Sequence, residues 1–183
     1  MAKKKGVRVT LLVEDEALER FSREVLIDLG YSRHEIRVTN YPVGKGSAKD
    51  WVNNQYPVHV RTIRSKSYQQ LALVVGTDAD EATVRERADR LVNSLENEGL
   101  AARQHQERIV LWIPKWNVET WLLYFAGDAR DEDQNYRKDV TKPDYRAAGA
   151  AFVREFRSCM TDDSIDTQPS LKSAYAETKR LGV

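Results

Sequence analysis

Apolar positions follow two periods along this chain, and the alternation between them predicts most of its elements. VRVTLLV (7–13) carries β-branched and leucine residues on both parities, as a strand buried on both faces of a parallel sheet requires. Leu18, Phe21, Val25, Leu26 and Leu29 then recur at three- and four-residue spacing, and Gly30 ends the run as a C-terminal glycine does. HEIRVTNYPV (34–43) predicts a second, more exposed strand. QLALVVGTDAD (70–80) is a third apolar run, broken by an acidic turn, and EATVRERADRLVNSLENEGL (81–100) places Val84, Ala88, Leu91 and Leu95 on one helical face. RIVLWIP (108–114) predicts a further buried strand, and NVETWLLYFAG (117–127) an apolar helix with Asn117 as its N-cap.

Between these units the pattern is weaker. The stretch 44–70 shows no clear period and reads at GKGS (44–47) as a flexible basic loop; the glycine spacing of a phosphate-binding P-loop is absent. Residues 128–146 are charged and poor in aliphatics, which predicts a loop. RAAGAAFVREFRSCM predicts a short helix, TDDSIDTQP a loop, and SLKSAYAETKRLGV a last helix capped by Ser170. The expected division is a basic flexible N-terminus (1–6), an α/β core (7–127), and a C-terminal loop and helices (128–183) packed on the same domain. Alternating strands and helices predict an α/β fold, an open and mostly parallel sheet with helices on both faces and a C-terminal helical extension.

Composition narrows the chemistry. A chain of 183 residues with 41% apolar content supports one hydrophobic core. Its formal charge of +1 gives no global attraction for polyanions, so any charge signal is local. The most basic segment holds Lys45, Lys49, Arg61, Arg64 and Lys66 against the single acid Asp50. One cysteine, Cys159, excludes an internal disulfide, and no apolar run approaches the roughly 20 residues that span a bilayer. The N-terminal lysines precede no apolar signal region, which predicts a cytoplasmic protein with no membrane partner. His34, His59 and His105 are scattered, and Cys159 has no evident partner histidine, so nucleophilic catalysis is not expected of them. Trp112 and Trp121 read as core, and Trp116, in a polar turn, as the tryptophan placed to stack on a base.

The acids carry the strongest signal. In open α/β sheets ligands sit outside the carboxyl ends of the strands. Glu14 ends the first apolar run, and Asp78 and Asp80 end the third, with a spacing of two that directs both to one side in extended backbone. Carboxylates so placed repel unless a cation sits among them, and a hard cation such as Mg²⁺ or Mn²⁺ suits oxygen ligands. Glu16, Glu81 and Glu119 also fit plain helix-start residues favoured by the N-terminal dipole.

Two families share parts of this pattern. LLVEDEALERFSREVLIDLGY resembles the opening of a response-regulator receiver domain, where an acidic pair after the first strand serves a phosphoacceptor aspartate after the third. That likeness weakens downstream: Asp78 comes late by about one element and precedes Ala79-Asp80 rather than an apolar and Met-Pro pattern, and Lys142-Pro143 lies in a polar loop. The glutamate of VEDEALERF, the Asp-x-Asp of VVGTDADE and the helix start in IPKWNVETWLL are similar to the TOPRIM (topoisomerase-primase) domain, in OLD-family nucleases and small stand-alone TOPRIM-like proteins, over about residues 7–125. Asp15 stands where that family commonly has glycine.

The TOPRIM resemblance implies a Rossmann-like fold and a metal-dependent nuclease. In it Asp78 and Asp80 hold Mg²⁺ or Mn²⁺, Glu14 completes the site or acts as general acid or base, and Lys115 neutralises charge in the transition state. Glu81 and Glu119 are candidates for a further metal, and Lys45, Lys49, Arg61, Arg64 and Lys66 for the phosphate backbone of DNA or RNA. It further implies a separate ATPase subunit and a role in defence against phage or plasmids, and leaves self-association open. The alternatives are a non-catalytic TOPRIM-like subunit that regulates a partner, and a receiver-like phosphoacceptor.

Overall fold

Hydrophobic residues on both parities of the first apolar run become strand β1 (Arg8–Val13), the centre of the fold, in the computed structural model, which describes residues 6–42, 46–128, 130–161 and 167–183. In chain order follow α1 (Glu16–Asp28), β2 (Ile36–Asn40), α2 (Ala48–Ser65), β3 (Leu71–Gly76), α3 (Val84–Asn97), β4 (Ile109–Trp112), α4 (Val118–Phe125), α5 (Tyr145–Cys159) and α6 (Pro169–Thr178). The strands form one open sheet in the order β2-β1-β3-β4, and every neighbouring pair is parallel. This is the α/β architecture expected from the alternation of periods. The second strand lies at the sheet edge and is the more exposed, as predicted.

Strand parity sorts the core into two layers. Val9, Leu11 and Val13 join Ala72, Val74, Val110 and Trp112 under α1, α4, α5 and α6. Leu12, Leu73, Val75, Ile109 and Leu111 face the other way, against Val52, Tyr56 and Val60 of α2 and Leu91 and Leu95 of α3. A sheet covered on both faces is what all-parallel pairing demands. The C-terminal helices belong to the first layer, with Phe152, Phe156, Leu171 and Tyr175 buried in it.

The segment 44–70, where the sequence shows no clear period, holds the main element that the pattern leaves unassigned. Residues 48–65 form a helix, capped by the Ser47 hydroxyl, which accepts from the Asp50 amide. Its buried residues Val52, Tyr56 and Val60 recur every four positions; Pro57 inside the helix and the polar residues between them break the visible pattern. Ser170 does not cap α6: Gln168 is the N-cap, Pro169 supplies the first turn, and Ser170 is buried. Its hydroxyl instead accepts from Trp121 Nε1 at 2.8 Å and donates to Glu132 Oε2 at 2.6 Å. Asn117 does hold the N-cap position of α4, without a side-chain cap bond.

Two glycines set how closely α1 approaches its neighbours in the first layer. A Cβ at Gly149 of α5 would lie 2.9 Å from Glu24 Cβ, so glycine lets α5 press on α1. A Cβ at Gly76, the last residue of β3, would lie 2.9 Å from Leu18 Cγ and 3.0 Å from Val13 Cγ1. The open edge of β4 is covered by the chain end: the Leu111 amide donates to Glu177 Oε2 at 2.9 Å, and Trp112 Nε1 to Thr178 Oγ1 at 2.9 Å. No helix among the described residues is long and apolar enough to cross a membrane. Residues 1–5 of the expected basic N-terminus, and most of the loop expected at 161–169, lie outside the described residues.

Candidate functional site

The sheet order reverses direction at β1: the chain leaves it for β2 on one side and returns to β3 on the other. In open α/β sheets such a switch point opens a crevice at the carboxyl ends of the two central strands. Glu14 and Asp15 follow β1, Thr77 and Asp78 follow β3, and Glu119 opens α4 after β4. Beyond the strands the last two loops stay paired, with the Ala79 amide donating to the Pro114 carbonyl at 3.0 Å and the Asp80 amide to the Trp116 carbonyl at 3.2 Å. Three strand ends therefore deliver carboxylates to one crevice.

Glu14 is held by a chain of hydrogen bonds that begins at a buried arginine. Arg87, only 1% exposed, donates from Nε and Nη2 to Thr77 Oγ1 at 3.0 and 2.6 Å, and from Nη1 to Asn53 Oδ1 at 3.0 Å. Thr77 in turn donates its hydroxyl to Glu14 Oε2 at 2.6 Å, and the Asp78 amide reaches the same oxygen at 3.3 Å. Burial pushes the Glu14 carboxyl above the ordinary range, and the Thr77 hydroxyl and the charges of Lys49 and Arg87 oppose it. Burial likewise pulls the Arg87 guanidinium down. An arginine remains cationic even so, and one positive charge is therefore fixed beneath the crevice.

Asp78 and Glu119 are the desolvated acids. Asp78 is 1% exposed and Glu119 8%, and Asp78 Oδ1 and Glu119 Oε2 have no hydrogen-bond partner. Burial raises the Asp78 carboxyl well above its usual range, and the charges of Glu14, Asp15 and Glu119 raise it further against the pull of Arg137. Burial also raises Glu119, opposed by the α4 backbone amide and Arg137. Arg137 comes from the irregular segment between α4 and α5 and reaches all three loops. Its Nη2 lies 2.9 Å from Asp15 Oδ2 and 3.8 Å from Asp78 Oδ2, and its Nε 3.8 Å from Glu119 Oε1.

Asp15 explains its own place in the sequence. Its backbone is extended (φ −144°, ψ 174°), so nothing requires the expected glycine, and its Oδ1 caps α1 by accepting from the Leu18 amide at 2.9 Å.

The other predicted residues are placed differently. Asp80 does not share a side with Asp78: the extended backbone ends, Asp80 takes φ 51°, and its carboxylate pairs with Lys49. Asp80 and Glu81 line an open cleft of about 410 Å³ beside the crevice, with Lys49, Arg90 and Trp116. Glu81 precedes α3, whose N-cap is Thr83 in a capping box with Glu86. Lys115 pairs with Asp133 at 2.9 Å and lies 5.8 Å from the Trp116 ring. Lys45 lies outside the described residues. Lys49 and Arg64 stand in the first and last turns of α2, about 22 Å apart at the helical rise. Arg61 pairs with Glu98 at 3.3 Å. Arg64 binds Glu107 through Nε and Nη2 and donates to the Ala101 and Ala102 carbonyls. Lys66 is the C-cap of α2. The basic stretch is thus spread along a helix, and Arg64 braces a loop.

Sequence reasoning missed Arg87, Thr77 and Arg137. The spacing Arg87, Leu91, Leu95 was available as a signal for the first, since it continues the buried face of α3 by one turn. The order of elements also removes an objection to the receiver likeness, because Asp78 follows the third strand with no extra strand or α-helix before it. Among the described residues no three histidine, cysteine or carboxylate side chains stand close enough, as they are, to hold a metal ion. The donor chemistry still fits a hard cation: oxygen ligands alone, two of them buried and unpartnered. Set against family models, curated proteins and solved structures, the chain matches none of them.

Proposed function

We propose that the crevice binds Mg²⁺ or Mn²⁺ and cleaves phosphodiesters, in keeping with the resemblance to TOPRIM nucleases. The observation that carries this reading is the pair of buried, unpartnered carboxylate oxygens, Asp78 Oδ1 and Glu119 Oε2, at the switch point of the sheet. Leaving carboxyl oxygens desolvated and unsatisfied costs stability, a cost a structural role does not require. A bound divalent ion would polarise the phosphoester and lower the pKa of a water. Asp78 and Glu119 are the residues that would hold it.

Glu14 has a different part. Thr77 and the Asp78 amide hold its Oε2, which leaves Oε1 to take a proton from an attacking water or to join the ligand set. Arg87 fixes that geometry from below, as a positioning residue. Asp80, paired with Lys49, faces the neighbouring cleft, where Lys49 and Arg90 suit a phosphate and Trp116 suits a base. This gives the substrate strand a path from the cleft to the acids. DNA and RNA are both within this reading, and a separate ATPase subunit is the partner that the resemblance implies.

The receiver-like alternative shares Asp15 after the first strand and Asp78 after the third. The burial of Asp78 and the guanidinium beside it favour a ligand site over an acceptor that a phosphodonor must reach in line. Titration with Mn²⁺ followed by cleavage assays on DNA and RNA tests the proposal. Glu14→Gln and Glu119→Gln are expected to abolish metal-dependent cleavage while the protein stays folded. Undiminished cleavage in both variants sends the activity elsewhere.

A further inference from the structure

Arg137 is the least expected member of the crevice. It comes from residues 128–144, a segment with no helix or strand among its described residues, yet it touches carboxylates from the ends of β1, β3 and β4. Its pairing is incomplete. The 2.9 Å contact with Asp15 is a hydrogen bond, but the 3.8 Å separations from Asp78 and Glu119 are too long for one. The guanidinium therefore offsets the charge of the two buried acids without satisfying their oxygens, and Asp78 Oδ1 and Glu119 Oε2 are left without partners.

How Arg137 is mounted allows it to leave. Its side chain is 57% exposed, whereas the Asp78 side chain is 2% exposed. Its backbone is tethered: the Arg137 amide donates to Asn135 Oδ1 at 3.0 Å, and that oxygen also accepts from Asn117 Nδ2 at 2.8 Å, at the start of α4. Withdrawal of the side chain thus needs no movement of the anchor, and the charge stays within a side chain's length of the acids. The other cations nearby are differently engaged, Lys115 with Asp133 and Lys49 with Asp80. Arg137 alone among these three pairs with the carboxylates a divalent ion would claim.

We propose that Arg137 changes partners during the reaction: it is the counter-cation of Asp15, Asp78 and Glu119 in the metal-free protein, and contacts a phosphate oxyanion once a divalent ion occupies the acids. This rests on the metal-dependent reading above. A planar guanidinium binds a carboxylate and a phosphate through the same fork of donors, so the exchange costs little geometry. Ion and guanidinium draw on the charge of the same carboxylates, which makes their binding antagonistic and reciprocal. The exchange ties release of the arginine to metal entry, so the phosphate contact forms in a loaded site.

Arg137→Ala and Arg137→Lys, studied beside the unaltered protein, test this with Mn²⁺ titration by calorimetry in the absence of nucleic acid, and with cleavage at saturating Mn²⁺. The expected result has opposite signs. Arg137→Ala binds Mn²⁺ about tenfold more tightly, the middle of the usual range of such couplings, and cleaves at least about tenfold more slowly. Arg137→Lys, with a charge but no fork, lies between on both measures. Mn²⁺ bound no more tightly by Arg137→Ala overturns the counter-cation role. Tighter Mn²⁺ with undiminished or faster cleavage overturns the phosphate contact and leaves only a plug. Weaker Mn²⁺ together with a lower Tm makes Arg137 a structural brace. Uptake of Mn²⁺ by none of the three proteins overturns the metal-dependent reading itself, and the exchange with it, a result distinct from the other outcomes.

Discussion

Arg64–Glu107 and Arg103–Glu177, beside the start of β4, are ion pairs with their hydrogen bonds made; Asp78 and Glu119, at the carboxyl edge of the sheet, each keep an oxygen without a partner. Arg64 gives Glu107 two hydrogen bonds, the Gln104 amide gives it a third, and Arg103 binds Glu177, which also takes the Leu111 amide. Burial works to raise Glu107, but the Arg64 bonds and the Gln104 amide outweigh it and hold the carboxyl below its usual range. Asp78, more deeply buried, has no such donors and is driven the other way. A charge buried for stability brings its partners with it. The carboxyl edge keeps acids whose partners are missing, and that imbalance separates a place for a ligand from a structural ion pair.

The largest effect expected from breaking this contrast is on catalysis. Asp78→Asn removes the desolvated charge, so metal-dependent cleavage should fall by about a hundredfold or more, the scale of a lost metal contact. The same variant should unfold at higher denaturant than the unaltered protein when no metal is present, which a purely structural acid would not do. Arg87→Leu comes next. It strips Thr77 and Asn53 of their donor and loosens Glu14, and equilibrium unfolding should show a loss of roughly 3 to 5 kcal/mol, as for a broken buried pair. Arg64→Ala, beside the start of β4, should cost about 2 kcal/mol, the range of charge-assisted hydrogen bonds, and leave the affinity for oligonucleotides unchanged. A fall in that affinity would restore Arg64 to the nucleic-acid surface.

The smallest effect concerns pH, and its sign differs between the two regions. Asp78 has its folded pKa raised, so its contribution to stability is complete below the ordinary carboxylate range and is lost as pH rises through the raised value. Glu107 has its folded pKa lowered, so its contribution is present above that range and lost as pH falls through the lowered value. Stability measured against pH should therefore flatten in Asp78→Asn on the side above the ordinary range, and in Glu107→Gln on the side below it. Subtracted from the curve of the unaltered protein, the two variants should leave differences of opposite slope.

Much of the fold could be read from the chain because strand parity and helical period leave separate marks. Leu18, Phe21 and Val25 on α1 and the two-sided burial of β1 and β3 follow directly from the pattern. The second helix was hidden for an identifiable reason: its buried face holds Tyr56 and Pro57, and proline argues against a helix interior even where tertiary contacts accept it. Glu14 and Asp78 were legible as strand-end acids, and the structure brings both to the switch point. Asp80 was misjudged because a spacing of two gives a shared side only while backbone stays extended, and the chain turns at that residue. Arg137 left no sequence mark. It lies 59 positions after Asp78 in a polar segment, and its meeting with the acids depends on how that segment is anchored at Asn135.

Gly76 makes the width of the crevice a matter of one absent carbon. The Leu18 side chain would lie 2.9 Å and Val13 Cγ1 3.0 Å from a Cβ there, so α1 packs on the end of β3 with no spacer between them. The turn that carries Glu14 and Asp15 is joined to that helix, and the loop that carries Thr77 and Asp78 begins at that glycine. An alanine there would act as a wedge, driving the two acid-bearing loops apart without altering any acid. The gauge of the site is therefore set in the hydrophobic layer beneath it, by a residue with no chemistry of its own.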